Sequence, residues 1–203
     1  MAPKAKALTP WSVRPSIRVP ARWQGELRSI LVSERRLERR VAALAGEIER
    51  DFAGRDLVIV ALLSGTVVFL ADLIRRLTLP LRLDFIGVSS YREGTESKEL
   101  VFTKELLLDV RGRDVLLVDD ILDTGRTLQR VMTELELLRP RQIKTCVLLD
   151  KPTRRLEPLV ADYVGFEIPD LFVVGYGLDF AERYRNLPFV GVLHPSLTQA
   201  ESR

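Results

Sequence analysis

The sequence predicts an α/β fold in which helices flank a mainly parallel sheet. Two segments, 57–77 and 115–138, carry this prediction, because each runs from an apolar strand through a polar loop into a helix. Short runs rich in Val and Leu are typical of strands that are buried on both faces of a parallel sheet. Since open α/β sheets bind ligands at the carboxyl ends of their strands, we expect the functional site in these two loops.

The composition is typical of a soluble globular protein, with 46% hydrophobic and 29% charged residues. A chain of 203 residues is expected to form one domain with a substantial core. The net charge of +3 is too small for a nucleic-acid-binding surface, so no nucleic-acid partner is expected. No apolar run reaches membrane-spanning length and the start lacks a signal-peptide core, so we expect no membrane contact and a cytoplasmic location.

The single histidine and the single cysteine restrict the chemistry further. His194 follows the last apolar run, and one histidine cannot form a His-based zinc site. Cys146 lies in the apolar run 142–149 and has no partner for an internal disulfide. We therefore expect Cys146 to be a small buried side chain in a reducing compartment.

The strand of the 115–138 segment ends in a loop rich in carboxylates. Asp119, Asp120 and Asp123 are followed by Thr-Gly-Arg-Thr at 124–127. Backbone N–H groups and two hydroxyls at a helix N-terminus form an anion site, and Gly125 lets the backbone approach a ligand closely. Neighbouring carboxylates suit ribose hydroxyls, or a hard cation that bridges to phosphate oxygens. The loop therefore predicts a phosphorylated sugar as ligand; the alternative is a solvated acidic loop that only caps the helix.

Other polar groups follow other predicted strands. Ser64 and Gly65, after the strand 57–63, indicate a second anion site. Lys151 lies just past the strand 142–149 and either caps it in solvent or points into the cleft, whereas the next two arginines, Arg154 and Arg155, are expected to be surface charges. Phe172 is by default a core side chain, since aromatic strand residues usually are.

The remaining elements are predicted from apolar spacing and breakers. A helix should begin at Ser33 and end before Gly54, with one apolar face that packs on the domain. The other elements are strands at 81–90, 163–166, 171–175 and 189–193, and a helical turn near Arg183 and Arg185.

The domain organisation is expected to be simple. Residues 1–25 have no periodicity and predict a flexible arm, which contains Trp11 and Trp23. The arm either packs on a partner subunit or on nucleic acid, or it is a disordered tail that is partly attached. Residues 26–197 form the single domain, and 198–203 form a polar tail.

The segment Val118–Thr127 (VDDILDTGRT) resembles the phosphoribosyl pyrophosphate loop of the type I phosphoribosyltransferases. Segments 84–91, 149–152 and 162–179 resemble the hypoxanthine-guanine members of that family in particular. The likeness runs from about residue 30 to residue 193, nearly the whole chain. It implies the type I phosphoribosyltransferase fold, with a small hood formed by the C-terminal strands and an N-terminal element.

The resemblance also implies an activity: transfer of the 5-phosphoribosyl group from phosphoribosyl pyrophosphate to N9 of hypoxanthine or guanine, with Mg²⁺. It makes Asp123 the catalytic base. Further implied contacts to phosphoribosyl pyrophosphate come from Asp119, Asp120, Thr124, Gly125, Arg126, Thr127, Ser64, Gly65 and Arg185. The implied magnesium ligands are Asp119, Asp120 and Asp179.

For the purine, the resemblance implies that Lys151 contacts the oxygen at position 6 and that Phe172 stacks on the ring. The backbones of Val173 and Asp179 would reach the purine edge. The segment 91–98 is by itself a surface hairpin. By resemblance it is a mobile lid, with Ser90 and Tyr91 closing over the reacting centre.

Two positions depart from the family pattern. Ser64 stands where these enzymes usually carry Lys or Arg, and Lys98-Glu99 stands where the lid usually has Ser-Gly. Two other functions therefore remain open: a regulator that binds phosphoribosyl pyrophosphate and nucleic acid without turnover, and a transferase for another base such as xanthine or a pyrimidine. A homodimer or homotetramer is expected.

Overall fold

A computed structural model of the chain describes residues 18–90 and 100–200. In these ranges the strands are β1 Leu27–Val32, β2 Leu57–Leu63, β3 Leu81–Ser90, β4 Leu100–Lys104, β5 Asp114–Leu122, β6 Gln142–Asp150, β7 Tyr163–Glu167, β8 Val173–Val174 and β9 Val190–Leu193. The helices are α1 Glu34–Asp51, α2 Val67–Ile74, α3 Arg126–Leu137 and α4 Pro195–Ala200. Short 3₁₀ turns cover Ala21–Trp23 and Pro152–Arg154.

Six strands form the central sheet, in the order β4-β3-β2-β5-β6-β7. All neighbours are parallel except β3 and β4. In this register Ala61 of β2 and Cys146 of β6 both lie opposite Val118 of β5. The loops that follow β2, β5 and β6 therefore emerge side by side at one edge of the sheet. The predicted mainly parallel α/β sheet is confirmed.

A second, three-stranded sheet forms the predicted hood, in the antiparallel order β1-β9-β8. It joins the N-terminal strand to the C-terminal ones. Its own apolar cluster includes Val19, and the ring of Trp23 lies edge-on to Tyr184 with 5.9 Å between centroids. The end of the predicted arm, 18–25, thus packs on the hood; for residues 1–17, outside the described part of the chain, the flexible arm stays a prediction.

Both faces of the central sheet are buried, which explains the continuous apolar runs of its strands. Along β2, Ile59 and Ala61 belong to the cluster that contains α1 and α2, while Val58 and Val60 belong to the cluster that contains α3. Cys146 is fully buried in the first cluster, as predicted, and burial raises the pKa of its thiol. Among the described residues, no helix has the length and apolar character needed to cross a membrane.

The C-terminal third differs most from expectation. The segment around Arg183 is not helical: two isolated bridges hold its turns, and Ala181, Glu182 and Tyr184 have positive φ. The predicted strand 171–175 shortens to the two residues of β8. The last residues of the expected domain and the first of the expected tail, which begins at residue 198, together form the short helix α4.

We predict that Gly165→Ala in β7 lowers the free energy of unfolding by about 1–3 kcal/mol. A Cβ at this position would lie 2.3 Å from the carbonyl oxygen of Leu148, in the neighbouring strand, so backbone must move. Urea unfolding measures the change. The matched control is Gly25→Ala, because nothing lies within 4 Å of a Cβ there. Equal midpoints for Gly165→Ala and wild type would contradict this packing.

Candidate active site

A cavity of about 620 Å³ opens where β2 and β5 end. Its walls are the loops after these two strands and the turns near Arg185. The site residues predicted from sequence that line it are Ser64, Gly65, Asp119, Asp120, Asp123, Thr124, Gly125, Thr127, Asp179 and Arg185. Arg126 does not line it, and Tyr91 lies outside the described residues.

The floor of this cavity is the carboxylate pair at the end of β5. Asp119 is only 8% exposed, and its Oδ1 accepts bonds from the Thr66 hydroxyl (3.3 Å) and the Asp120 N–H (2.9 Å). Burial, and next the charge of Asp120, raise the pKa of Asp119 well above its usual value. Burial also raises the pKa of Asp120, against the opposing effect of the Arg185 charge. The pair is therefore poorly solvated, and charging both carboxylates is unfavourable unless a cation or hydrogen-bond donors compensate. Thr66 was not predicted as a site residue, although it follows Gly65 directly.

Glycines make this arrangement possible. A Cβ on Gly65 would lie 1.7 Å from Oδ2 of Asp120, so only a residue without a side chain fits beside the carboxylate. A Cβ on Gly177, where φ is +102°, would lie 2.0 Å from the carbonyl oxygen of Gly65. Three segments that are distant in sequence thus meet within contact distance. The role of Gly177 depends on a long-range approach, which no local pattern reveals.

The loop at the start of α3 has the geometry of an anion site. Gly125 precedes the helix with φ +88°, and its carbonyl accepts the N–H of Gln129 at 2.9 Å. The carbonyl of Thr124 accepts the N–H groups of Leu156 (2.9 Å) and Glu157 (3.2 Å). The Arg126 N–H donates to the Thr124 hydroxyl oxygen at 3.5 Å, and the other first-turn N–H groups of α3 have no partner within the helix, so they can face a ligand.

Arg155 braces this loop, so the expectation of a surface charge is wrong for it. Its guanidinium donates to the carbonyls of Leu122 (3.1 Å) and Asp123 and pairs with Asp150. Its side chain is 15% exposed. The 3₁₀ turn Pro152–Arg154 redirects the chain after β6 and carries Arg155 back towards the loop.

A second cavity of about 400 Å³ adjoins the first and shares Asp123 and Asp179 with it. Lys151, Phe172 and Val173 line it, together with Arg154 and Asp170. Lys151 is buried, so its side chain points into the cleft and does not cap the strand in solvent. Phe172 is 48% exposed and meets Phe180 edge-on at 5.4 Å. The default expectation of a core role for Phe172 is therefore wrong.

Arg185 supplies positive charge at the rim of the first cavity. It pairs with Asp179 at 2.9 Å and with Glu182 at 3.5 Å, and it donates to the carbonyl of Gly177 at 2.8 Å. The Asp179 carboxylate thus already has a counter-ion. Within 18–90 and 100–200, no three His, Cys, Asp or Glu side chains group closely enough to hold a metal. The pair Asp119 and Asp120 fits a hard divalent cation only if other oxygens, such as those of a substrate, complete its coordination.

Residues 28–181 match the phosphoribosyl transferase domain. The chain belongs to the phosphoribosyl transferase family. The hypoxanthine-guanine phosphoribosyltransferase of Bacillus subtilis (strain 168) is 41% identical over 176 residues, 86% of this chain and 98% of that protein. A crystal structure of a hypoxanthine phosphoribosyltransferase from Staphylococcus aureus matches with a TM-score of 0.83 and 40% identity, covering 89% of this chain and 98% of that one.

Longer relatives also match. The bifunctional protein TilS/HprT of Listeria innocua is 43% identical over 173 residues, which are 85% of this chain. The chain spans 27% of the length of that relative. The family match agrees with the fold predicted from the sequence, including the hood. The two cavities lie at the ends of the parallel strands.

We predict that Asp119→Asn stabilises the substrate-free phosphoribosyl transferase domain at pH 7.5 by about 1–2 kcal/mol. A carboxyl whose pKa is raised on folding stabilises the native state only while it is protonated. That contribution is lost as the pH rises from the unfolded pKa through the folded one. Asparagine removes the buried charge, so the advantage of the variant should shrink as the pH falls towards 4.

Thermal unfolding at several pH values measures this difference. The control is Asp109→Asn, because Asp109 is exposed and its carboxylate accepts the backbone N–H of Arg111, two residues away. If Asp119→Asn instead lowers the free energy of unfolding at pH 7.5, the buried charge of Asp119 does not destabilise the native state.

Proposed function

We propose that the protein is a purine-salvage enzyme that transfers the 5-phosphoribosyl group from phosphoribosyl pyrophosphate to N9 of hypoxanthine or guanine. The products are IMP or GMP and pyrophosphate. The observation that carries the proposal is the junction of the two cavities at Asp123, which lines both. One cavity has the groups that bind a phosphorylated sugar, and the other has those that bind a purine. The named relatives from Bacillus subtilis and Staphylococcus aureus support this assignment.

The sugar phosphate would lie along the first cavity. Its 5′-phosphate would accept bonds from the N–H groups and hydroxyls of 124–127, at the positive end of α3. Asp119 and Asp120 would hold the ribose hydroxyls. Pyrophosphate would lie between Gly65 and Arg185, where the guanidinium gives charge-assisted bonds.

The purine would lie in the second cavity. Phe172 offers a half-exposed ring for stacking, and the Lys151 ammonium is buried and points into the cavity. A buried ammonium favours an acceptor at position 6 of the base, which the 6-oxopurines have and adenine lacks. The backbones of Val173 and Asp179 would contact the purine edge.

Catalysis needs two changes in charge. As pyrophosphate leaves C1, negative charge develops on its oxygens, and Arg185 neutralises part of it. The purine N7 must lose a proton, and Asp123, which lines both cavities, would accept it. Bound Mg²⁺, which Asp119 and Asp120 would hold, would neutralise charge on the pyrophosphate oxygens.

Several further features belong to the proposal. Ser90 and Tyr91 would close over the reacting atoms as a lid that excludes water. Asp179 would contribute to a second magnesium site only by exchanging its ion pair with Arg185. The organisation would be an arm over 1–25, one domain over 26–197 and a tail over 198–203, in a cytoplasmic homodimer or homotetramer.

The direct test is to incubate the protein with phosphoribosyl pyrophosphate, Mg²⁺ and each of hypoxanthine, guanine, xanthine and adenine. Chromatography then detects the nucleotide. We expect IMP and GMP, and no AMP. Formation of XMP alone would favour a xanthine enzyme. Binding of phosphoribosyl pyrophosphate without any nucleotide would favour the regulator that the departure at Ser64 leaves open.

We predict that Asp123→Asn lowers kcat by about 10²–10⁴-fold, the range for loss of a general base. The affinity for phosphoribosyl pyrophosphate should change little, because the phosphate contacts remain. Steady-state kinetics and calorimetry measure the two effects. The control is Asp109→Asn, because Asp109 lines neither cavity. Wild-type turnover in Asp123→Asn would remove this residue from the role.

We also predict that Ser64→Lys tightens inhibition by pyrophosphate about tenfold, which corresponds to about 1.4 kcal/mol. A neutral hydroxyl gives a bond about half as strong as that of an ammonium group. Product inhibition measures the change, and Ser64→Ala serves as the uncharged comparison. If Ser64→Lys and Ser64→Ala are inhibited equally, the position does not face pyrophosphate.

A further inference from the structure

Four side chains of alternating charge form a closed ring at the mouth of the base cavity. The Lys151 ammonium lies 3.4 Å from Asp123 and 3.8 Å from Asp170. The Arg154 guanidinium lies 3.0 Å from the same Asp123 and 3.8 Å from the same Asp170. Each cation therefore has both carboxylates as partners, and each carboxylate has both cations.

Three separate parts of the chain build this ring. Asp123 comes from the loop after β5, and Asp170 from the loop between β7 and β8. Lys151 and Arg154 lie at the two ends of the 3₁₀ turn after β6, where the Arg154 N–H donates to the Lys151 carbonyl at 3.0 Å. The turn therefore holds the two cations close to each other, where both can contact the same carboxylates.

The ring members differ in burial, and this difference decides their roles. The Lys151 side chain is 8% exposed, whereas those of Arg154 and Asp170 are 48% and 52% exposed. A buried ammonium that loses its only close carboxylate is costly to the fold and to binding. If Asp123 turns to a purine, Lys151 still faces Asp170; if Lys151 turns to the purine, Asp123 still faces Arg154.

We propose that Arg154 and Asp170 are positioning residues. Arg154 pairs with Asp123 and Asp170 pairs with Lys151, so that Lys151 and Asp123 can release each other and engage the base. The inference rests on the proposed function and deepens it at the base subsite. The ring should act as one unit, because Arg154 and Asp170 also pair with each other, so removing either one changes the contacts of the other.

The test uses Arg154→Ala, Asp170→Asn and the double variant, with hypoxanthine as the varied substrate. Each single variant should lower kcat/KM for hypoxanthine about fivefold, the upper range for a partly exposed ion pair. The loss should lie in the KM for hypoxanthine, with the KM for phosphoribosyl pyrophosphate unchanged. Because the ring is one unit, the double variant should also lose about fivefold, where independent effects would multiply to about 25-fold.

Two comparisons separate this role from a structural one. Arg154→Lys keeps the charge and should restore most of the lost kcat/KM, although Lys lacks the planar fork of Arg. The control cycle uses Arg130→Ala and Glu134→Gln, an ion pair of 2.7 Å on α3 outside both cavities, and should leave both KM values unchanged. Thermal unfolding of all variants checks that they fold.

The outcomes are distinct. Two results would refute the proposed role of the ring and leave the proposed function intact. One is a loss of about 25-fold in kcat/KM for the double variant, and the other is a wild-type KM for hypoxanthine in both single variants. Calorimetric binding of IMP provides a second readout that does not depend on turnover, and both single variants should bind IMP more weakly than wild type. A wild-type protein that neither forms nor binds a purine nucleotide would instead refute the proposed function, and with it the ring.

Discussion

The burial of Asp119 and the partial burial of Asp120, at the end of a core strand, form the constraint on which the rest of the site depends. Strand β5 is buried on both faces, so its last residues leave the core directly into the cleft. Asp119 and Asp120 cannot both be charged there without compensation, and burial raises the pKa of each. Gly65 leaves room for one carboxylate, and the Thr66 hydroxyl donates to the other. A ligand that brings cations and hydroxyls would complete the compensation.

The two cavities differ in whether their charged side chains are paired with one another. The sugar cavity keeps its acidic floor without a directly paired cation among the described residues, since Arg185 pairs with Asp179. The base cavity is internally balanced, because its cations and carboxylates pair with one another. Under the proposed function, the charged sugar phosphate would bind where charge compensation is missing, and the neutral purine would bind where it is already present. Asp123 belongs to both cavities and connects the two environments.

The sequence predicted the layered α/β architecture well, because apolar runs such as 57–63 and 81–90 report burial directly and coincide with β2 and β3. It did not predict that the Arg155 side chain turns inward to the loop after β5, since a short turn after β6 decides that side chain's direction. It also missed the approach of Gly177 to Gly65, which depends on tertiary packing and has no local signal. The family resemblance supplied the roles of the site residues, which periodicity and composition alone could not.

The most direct test of this account is the thermal stability of the wild-type protein with Mg²⁺ alone, phosphoribosyl pyrophosphate alone, and both together. Ligands that bind only the native state raise its stability in proportion to the logarithm of their concentration over Kd. If the carboxylate pair needs a cation and a sugar phosphate together, both should raise Tm by clearly more than the sum of their separate shifts. Equal shifts with and without Mg²⁺ would contradict the central role of Asp119 and Asp120.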